Sequence, residues 1–438
     1  MLTVGHANSH GNSMLDRNFV LANADAVAAN CRNRGVDVDL ARFVELESER
    51  RRTDQALQDA QRDSNALASA KDLSVEQKRE KGRELRERRE TLKAELDKLQ
   101  EAADTLLLRL PNMTHPESPI GRDDKDNREI DRNGVPHPKF AFAARDHVAI
   151  GEHLGIIDTE GGSKVAGPGF YFLKGDGARL ELALQNFAVE FLAKRGYVPH
   201  ITPDLARDSI LQGTGFTPRG NETNTYRIEG EELSLIATAE ITLCGLYQDT
   251  ILDEADLPIR IAGISHCFRT ERAAGRATRG LYRVHQFTKV EMVVIATPEQ
   301  SEAMHKELLA NERAIFDALE LPYRVLDICT GDLGGAAYRK YDLEAWMPGR
   351  GNGGEFGEVT STSNCTEFQA RRLNIRYRKG PKDKPLYVHT LNGTGIALGR
   401  AMVAILENNQ LEDGSVRLPK VLQSFMGQDR IVPRAAKG

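Results

Sequence analysis

The chain has 438 residues, 40 % hydrophobic and 28 % charged, with a formal net charge of −5; this is enough apolar material for two or three domains and argues against a surface coated in positive potential for nucleic acid. No apolar run nears the roughly 20 residues of a membrane helix, and the opening MLTVGHANSHGNS has neither a basic n-region nor an apolar h-region, so neither a membrane span nor an export signal is expected. Cys31, Cys244, Cys267, Cys329 and Cys365 are scattered without CxxC spacing, which speaks against a disulfide framework or a zinc site and for the reducing cytosol.

In chain order, Phe43, Leu46, Thr53, Leu57, Ala60 and Leu67 follow a loose heptad spacing, interrupted by Arg50 and Ser64. Leu85, Leu92, Leu99 and Leu106 then recur every seven residues, with Leu96, Ala103 and Leu110 at the alternate positions of a 4-3 repeat. The runs part near Lys71-Asp72-Leu73-Ser74. This predicts two antiparallel helices of about 30 residues and roughly 45 Å each, too thin for an enzyme core alone. Basic residues cluster at Arg50, Arg51 and Arg52, and again at Lys78, Arg79, Lys81, Arg83, Arg86, Arg88 and Arg89; by themselves they read as a solvated helix face balanced by glutamates.

Leu110-Pro111-Asn112 ends the arm, and the stretch to Pro138, rich in Pro, Gly, Asp, Asn and His, reads as an interdomain linker. Beyond it, strand-like segments (260–268, 282–294, 386–391) mix with helical patterns (179–195, 301–319, 399–408) in the irregular order of an α+β domain with a largely antiparallel sheet. His266, His285 and His389 fall in strand-like segments as structural residues, and Trp346 reads as core.

The segment HCFRTERAAGRATRGLYRVHQFTKVE, His266 to Glu291, forms two strand-like arms around a Gly/Arg loop turned by Gly275 and Gly280. An arginine there can grip a phosphate and a carboxylate through paired planar donors, and Phe287 offers a flat face for a base. Alone, the segment leaves open a second reading, a surface hairpin with ordinary salt bridges. It resembles motif 2 of the class II aminoacyl-tRNA synthetases, and its wording is most similar to the seryl-tRNA synthetase family. Leu180 to Val198 with His200-Ile201-Thr202-Pro203 resembles motif 1, and Asn392-Gly393-Thr394-Gly395-Ile396-Ala397-Leu398-Gly399-Arg400 resembles motif 3. Thr238-Ala239-Glu240 and Glu358-Val359-Thr360-Ser361-Thr362-Ser363-Asn364-Cys365 are similar to runs characteristic of the seryl enzymes, and the likeness extends from about residue 14 to the C-terminus.

The resemblance implies an α+β fold, a class II antiparallel sheet with flanking helices, preceded by an antiparallel two-helix coiled-coil arm. Domains are expected at 14–118 (tRNA-binding arm), 119–138 (linker) and 139–438 (catalytic); residues 1–13 precede Met14-Leu15-Asp16, which resembles the family start, and read as a tag or an upstream start. For ATP it implies Arg269 bridging the α-phosphate and the substrate carboxylate, Glu271 on the adenine amino group, Phe287 and Val284 on the ring, Arg400 on the γ-phosphate, and Thr270, Val359 and Thr360 beside them. Glu358 and Ser361 would hold Mg²⁺ through oxygen. Gly395 and Gly399 would let motif 3 approach the nucleotide.

For serine it implies Thr238, Glu240, Arg269, Glu291 and Thr394, a polar pocket that rejects alanine because its buried groups would be left unpaired. Arg79, Arg83 and Arg86 would meet tRNA phosphates. The activity implied is cytoplasmic serine–tRNA ligation by a homodimer, with tRNA(Ser) and, as a further candidate, tRNA(Sec). No zinc is expected. The loop 272–279, which by the resemblance would meet the tRNA acceptor end, is one residue shorter than the usual family form, with Ala277 where Asp is common. A ligase charging a carrier protein would lack the long arm, and a non-catalytic RNA-binding relative would not keep Arg269, Glu271, Glu291, Glu358 and Arg400.

Overall fold

The computed structural model describes residues 15–70, 72–216, 224–271 and 280–433. Residues 1–13 and the loop 272–279, both singled out above, lie outside them. The chain divides into two compact units between Met113 and Thr114.

In the first unit, short helices α1 (Arg17–Ala22) and α2 (Ala24–Asn33) precede the two long ones, α3 (Leu40–Ser69) and α4 (Val75–Leu107). Ser74 starts the return helix with a reciprocal cap: its hydroxyl accepts from the Gln77 N–H while the Gln77 side chain accepts from the Ser74 N–H. The predicted seam is sealed most completely at one end, although Thr53 and Ala60 farther along α3 are also buried. Phe43, Leu46, Ala103 and Leu110 are buried, whereas Leu85, Leu92 and Leu96 are half-buried. Two helices alone leave their seam open on both flanks. It closes where α1 and α2 add Leu15, Val20, Val27 and Cys31 to the cluster, with Leu107, a residue the heptad reading missed. There the fully buried Glu47 is held by Arg17 and Arg50, and Arg17 also reaches Asp104, pinning α1 to both long helices.

The second unit is built on strands β1 (Arg128–Arg132), β2 (Val198–Ile201), β3 (Ile259–Phe268), β4 (Gln286–Ala296), β5 (Tyr323–Asp327), β6 (Arg339–Met347), β7 (Glu355–Asn364) and β8 (His389–Ala397). Among the described residues they form one sheet in the order β1-β5-β6-β7-β8-β4-β3-β2, antiparallel except for β2 against β3. The stretch expected as linker is thus corrected: it carries edge strand β1, paired to β5. All five β1 residues are exposed, so no alternation of apolar residues marks it in the sequence.

Both sheet faces are covered, which is why β4 reads as a nearly unbroken apolar run. Its Val290, Met292 and Val294 pack toward Leu180, Leu184, Leu308 and Ile315, while Val293 and Ile295 pack toward Ile241, Leu243 and Leu373. The covering helices are α5 (His147–Leu154), α6 (Asp176–Ala193), α7 (Ala239–Gly245), α8 (Pro298–Ala318), α9 (Phe368–Leu373) and α10 (Leu398–Asn408). Thr297 caps α8 in a reciprocal pair with Gln300, and Pro298 sits at its first position, where no N–H is missed.

Candidate active site

β3 and β4 form the predicted hairpin, with Gly263 opposite Glu291, Ser265 opposite Lys289 and Cys267 opposite Phe287. The two-residue period puts Phe287, Lys289 and Glu291 in one row on one face, and Arg269 continues the matching row of β3. The Arg269 guanidinium stands 5.1 Å from the Phe287 ring centre and donates to the Ala237 carbonyl at 3.4 Å. Glu271 has φ of +50°, a left-handed conformation that costs a residue with a Cβ about 1 kcal/mol. Its carboxylate is held by Arg283 from the other arm.

The cleft beside this row is lined by Arg269, Glu271, Val284, Phe287, Glu358, Val359, Thr360, Ser361, Thr394, Gly399 and Arg400, and also by Tyr282, Arg283 and Lys289. Residues drawn from four separated sequence segments therefore converge. Thr270 is outside this wall; its N–H bonds the Asn224 carbonyl at 3.0 Å. Gly395 is not at the nucleotide side either: a Cβ there would come within 3.1 Å of the Val290 carbonyl oxygen and 3.0 Å of Leu192. It fills a bulge in β8, whereas Gly399, where a Cβ would come within 3.1 Å of the Leu281 carbonyl oxygen, is in the cleft wall.

At one end, Thr394 pairs across the sheet with Glu291. Its hydroxyl is 3.5 Å from both the Glu291 carboxylate and the Lys289 ammonium, and Lys289 pairs with Glu291 directly. Helix α7 comes in over Gly263, where a Cβ would meet Ala239 at 2.8 Å, and so brings its capping residue Thr238 and first-turn Glu240 to this end. Glu240 is buried, and one of its oxygens accepts from Gln369 at 2.6 Å and Asn392 at 2.8 Å. Gln369 is itself fixed, donating to the Thr214 carbonyl at 2.9 Å and accepting from Thr390 at 2.6 Å. Burial first, then the Glu291 charge, lift the Glu240 carboxyl to about 7 against the Gln369 bond and Lys289.

At the other end, a bulge at Val359 decides the geometry. Asp342 lies opposite Ser361 and Glu344 opposite Glu358, so Glu358 and Ser361 face the same way although three residues apart. Thr360 points to the opposite face, donating to Glu312 at 2.9 Å, and meets the cleft only through its backbone. Arg400 bonds the Glu358 carboxylate at 3.2 Å and its carbonyl at 3.0 Å. Desolvation would raise the Glu358 carboxyl, but Arg400 first, then Lys340 and Arg269, together outweigh it and hold it at about 2. An ionised carboxylate and a hydroxyl on one face are the oxygen donors that a hard cation takes.

Residues 14–114 match the seryl-tRNA synthetase N-terminal domain, and residues 224–409 match the tRNA synthetase class II core domain (G, H, P, S and T). The chain is 54 % identical to the serine–tRNA ligase of Rubrobacter xylanophilus, over 96 % of this chain and 99 % of that one. It belongs to the seryl-tRNA synthetases. The synthetase is also 53 % identical to the Rhodopirellula baltica serine–tRNA ligase, over 95 % and 99 % of the two chains. Its structure matches the seryl-tRNA synthetase from Pyrococcus horikoshii complexed with ATP at TM-score 0.89 and 39 % identity, covering 96 % and 100 % of the chains. It matches the cytoplasmic serine–tRNA ligase from Naegleria fowleri in complex with AMP at TM-score 0.84 and 34 % identity, covering 94 % and 96 %.

Sequence reading missed several residues of the synthetase's cleft. Arg283 and Lys289 carry the charges that pair Glu271 and Glu291, and their even spacing from Phe287, the spacing of a strand face, was the available signal. Gln369 left none, because its role comes from α9 folding onto α7. On the arm, Arg79, Arg83 and Arg86 are exposed as expected, but Arg83 and Arg86 already pair with Glu87 and Glu90 one turn on, so exposure alone does not separate an RNA face from a solvated one.

Proposed function

We propose that the synthetase forms seryl-adenylate in this cleft, with the amino acid at the Thr394–Glu291–Glu240 end and the triphosphate at the Arg400–Glu358 end. Arg269, between them, carries the cation for both the serine carboxylate and the α-phosphate. The carboxylate oxygen attacks the α-phosphorus in line, the bond to the bridging oxygen breaks, and pyrophosphate leaves; no side-chain nucleophile takes part, so catalysis is positioning and charge stabilisation. The adenine would lie on Phe287 beside Val284 with its amino group toward Glu271, while Glu291 and Glu240 take the ammonium and Thr394 the hydroxyl. Glu358 and Ser361 would hold Mg²⁺, which supplies positive charge to the phosphates when bound. A terminal hydroxyl of tRNA(Ser) then attacks the adenylate carbonyl and AMP leaves.

What supports this reading above all is that one sheet face carries Arg269, Phe287, Glu291, Thr394, Glu358 and Ser361 together. The arm, with Arg79, Arg83 and Arg86, would bind the tRNA backbone, with tRNA(Sec) a further candidate. The apolar residues Leu182 on α6 and Val198 and Ile201 on edge strand β2 are 58 %, 57 % and 88 % exposed, which supports a second copy covering this edge of the sheet. The assembly proposed is a homodimer, and the compartment proposed is the cytoplasm. Pyrophosphate exchange into ATP that requires serine and exceeds that with alanine or threonine, followed by charging of tRNA(Ser), tests the proposal; exchange driven equally by another amino acid would overturn it.

A further inference from the structure

His147, the first residue of α5, is buried and belongs to none of the motifs, yet it ties the ATP end of the cleft together. Its Nδ1 lies 2.8 Å from Glu407 Oε1, which also accepts its backbone N–H at 3.0 Å; the other Glu407 oxygen accepts from the Gly349 N–H at 2.8 Å. A carboxylate can only accept, so Nδ1 carries the proton and Nε2 is left as an acceptor. Nε2 takes the Leu281 N–H at 3.2 Å. The preceding residue must be glycine: Gly280 has φ of +56°, and a Cβ there would stand 2.0 Å from Nε2.

Leu281 leads directly into the cleft wall. The Tyr282 carbonyl accepts from Arg400 Nε at 3.3 Å, the Tyr282 hydroxyl donates to the Glu358 carbonyl at 3.3 Å, and Arg283 pairs with Glu271. Arg400 and Glu407 lie on the same side of α10, two turns apart. That helix therefore grips the 281–283 stretch twice, directly through Arg400 and, by way of Glu407, through His147. We infer that His147 is a positioning residue that fixes Leu281–Arg283 so that Arg400, Arg283 and Glu271 meet ATP, an inference that rests on the proposed placement of ATP in the cleft. The imidazole suits this because it holds a donor and an acceptor on opposite sides of a rigid ring. Without the acceptor, a buried N–H is orphaned and the stretch turns to satisfy it.

Two substitutions separate the ring's two bonds. In His147→Asn the amide reaches only the Nδ1 position, keeping Glu407 and losing Leu281; in His147→Gln the amide oxygen reaches the Nε2 position. Exchange kinetics should show the KM for ATP rising about tenfold in His147→Asn while that for serine stays within about twofold, and His147→Gln should recover the ATP value to within about threefold. Gly280→Ala, which drives a methyl into the imidazole from the other side, should reproduce the ATP-selective defect and stands in should His147→Asn not fold. If the variants only lower the melting temperature, with KM for ATP unchanged, the inference is overturned and His147 is scaffold alone. Arg400→Ala is measured alongside: an unchanged KM for ATP there would instead remove the placement of ATP itself.

Discussion

Serine binding should require the release of a proton from Glu240, and this gives the amino-acid end a pH dependence of known sign. In the empty site burial and the neighbouring Glu291 charge lift this carboxyl from 4.5 to about 7. The serine ammonium needs it ionised, so the apparent affinity is lowered by the fraction protonated. With a pKa of about 7, that factor is about 11 at pH 6 and about 1.1 at pH 8, so KM for serine should fall about tenfold across the interval, while KM for ATP changes little. Glu240→Gln removes the titrating group without removing the acceptor that Gln369 and Asn392 bond. Its serine KM should be flat with pH and, at pH 8, worse by the value of one charge-assisted contact, about 1.5–3 kcal/mol or roughly 10- to 150-fold. The effect on folding has the opposite sign: a carboxyl whose folded pKa is raised favours the native state below 4.5 and loses that contribution as pH rises to about 7, so the serine-free protein should soften at this group over that window. Exchange rates across serine concentrations at pH 6, 7 and 8 give the answer. A flat wild-type profile, or a Glu240→Gln profile parallel to it, would refute the reasoning.

Two further outcomes follow from the site and the arm. Thr394→Ala should reduce the preference for serine over alanine by about 1–3 kcal/mol, because among the described residues the Thr394 hydroxyl has only long 3.5 Å contacts and is available to the substrate; equal relative exchange rates before and after would take Thr394 out of the pocket. Replacing Arg79, Arg83 and Arg86 by Gln should leave exchange intact and weaken tRNA(Ser) charging, with a salt dependence shallower by roughly 0.7–0.9 for each phosphate no longer neutralised. Charging at the wild-type salt slope would assign those arginines to their Glu87 and Glu90 partners and to solvent.

The long-range plan of the molecule is written in residue periods, and those were readable. The seven-residue leucine spacing marks α4, a looser heptad marks α3, and the strand-like arms 260–268 and 282–294 about a Gly/Arg loop mark the hairpin whose register aligns Phe287, Lys289 and Glu291. What the sequence hides is where a period is broken. Glu358 and Ser361 are three apart and would face opposite ways in a regular strand; only the bulge at Val359 unites them. Gly395 looks like a residue making room for nucleotide and instead fills a bulge against Leu192. Strand β1 escapes notice because an edge strand exposed on both faces needs no apolar residues, and it is fixed by pairing with a segment nearly 200 positions away, as Arg128 opposite Asp327 shows. The bonds from His147 to Leu281 and from Gln369 to Glu240 likewise join residues more than 100 positions apart.

The central claim is that a single guanidinium, at Arg269, balances the serine carboxylate and the α-phosphate at once, and Arg269→Ala tests it most directly through serine-dependent exchange of pyrophosphate into ATP. Among the described residues the Arg269 side chain has a 3.4 Å contact to the Ala237 carbonyl, the Phe287 ring beside it and the Glu358 charge within reach, none of them part of the strand pairing, so its removal leaves the sheet register untouched. The expected result is a folded protein with an unchanged melting profile and exchange reduced by at least about a hundredfold, the scale seen when one preorganised donor to a developing charge is removed. Near-normal exchange in that folded variant would contradict the account.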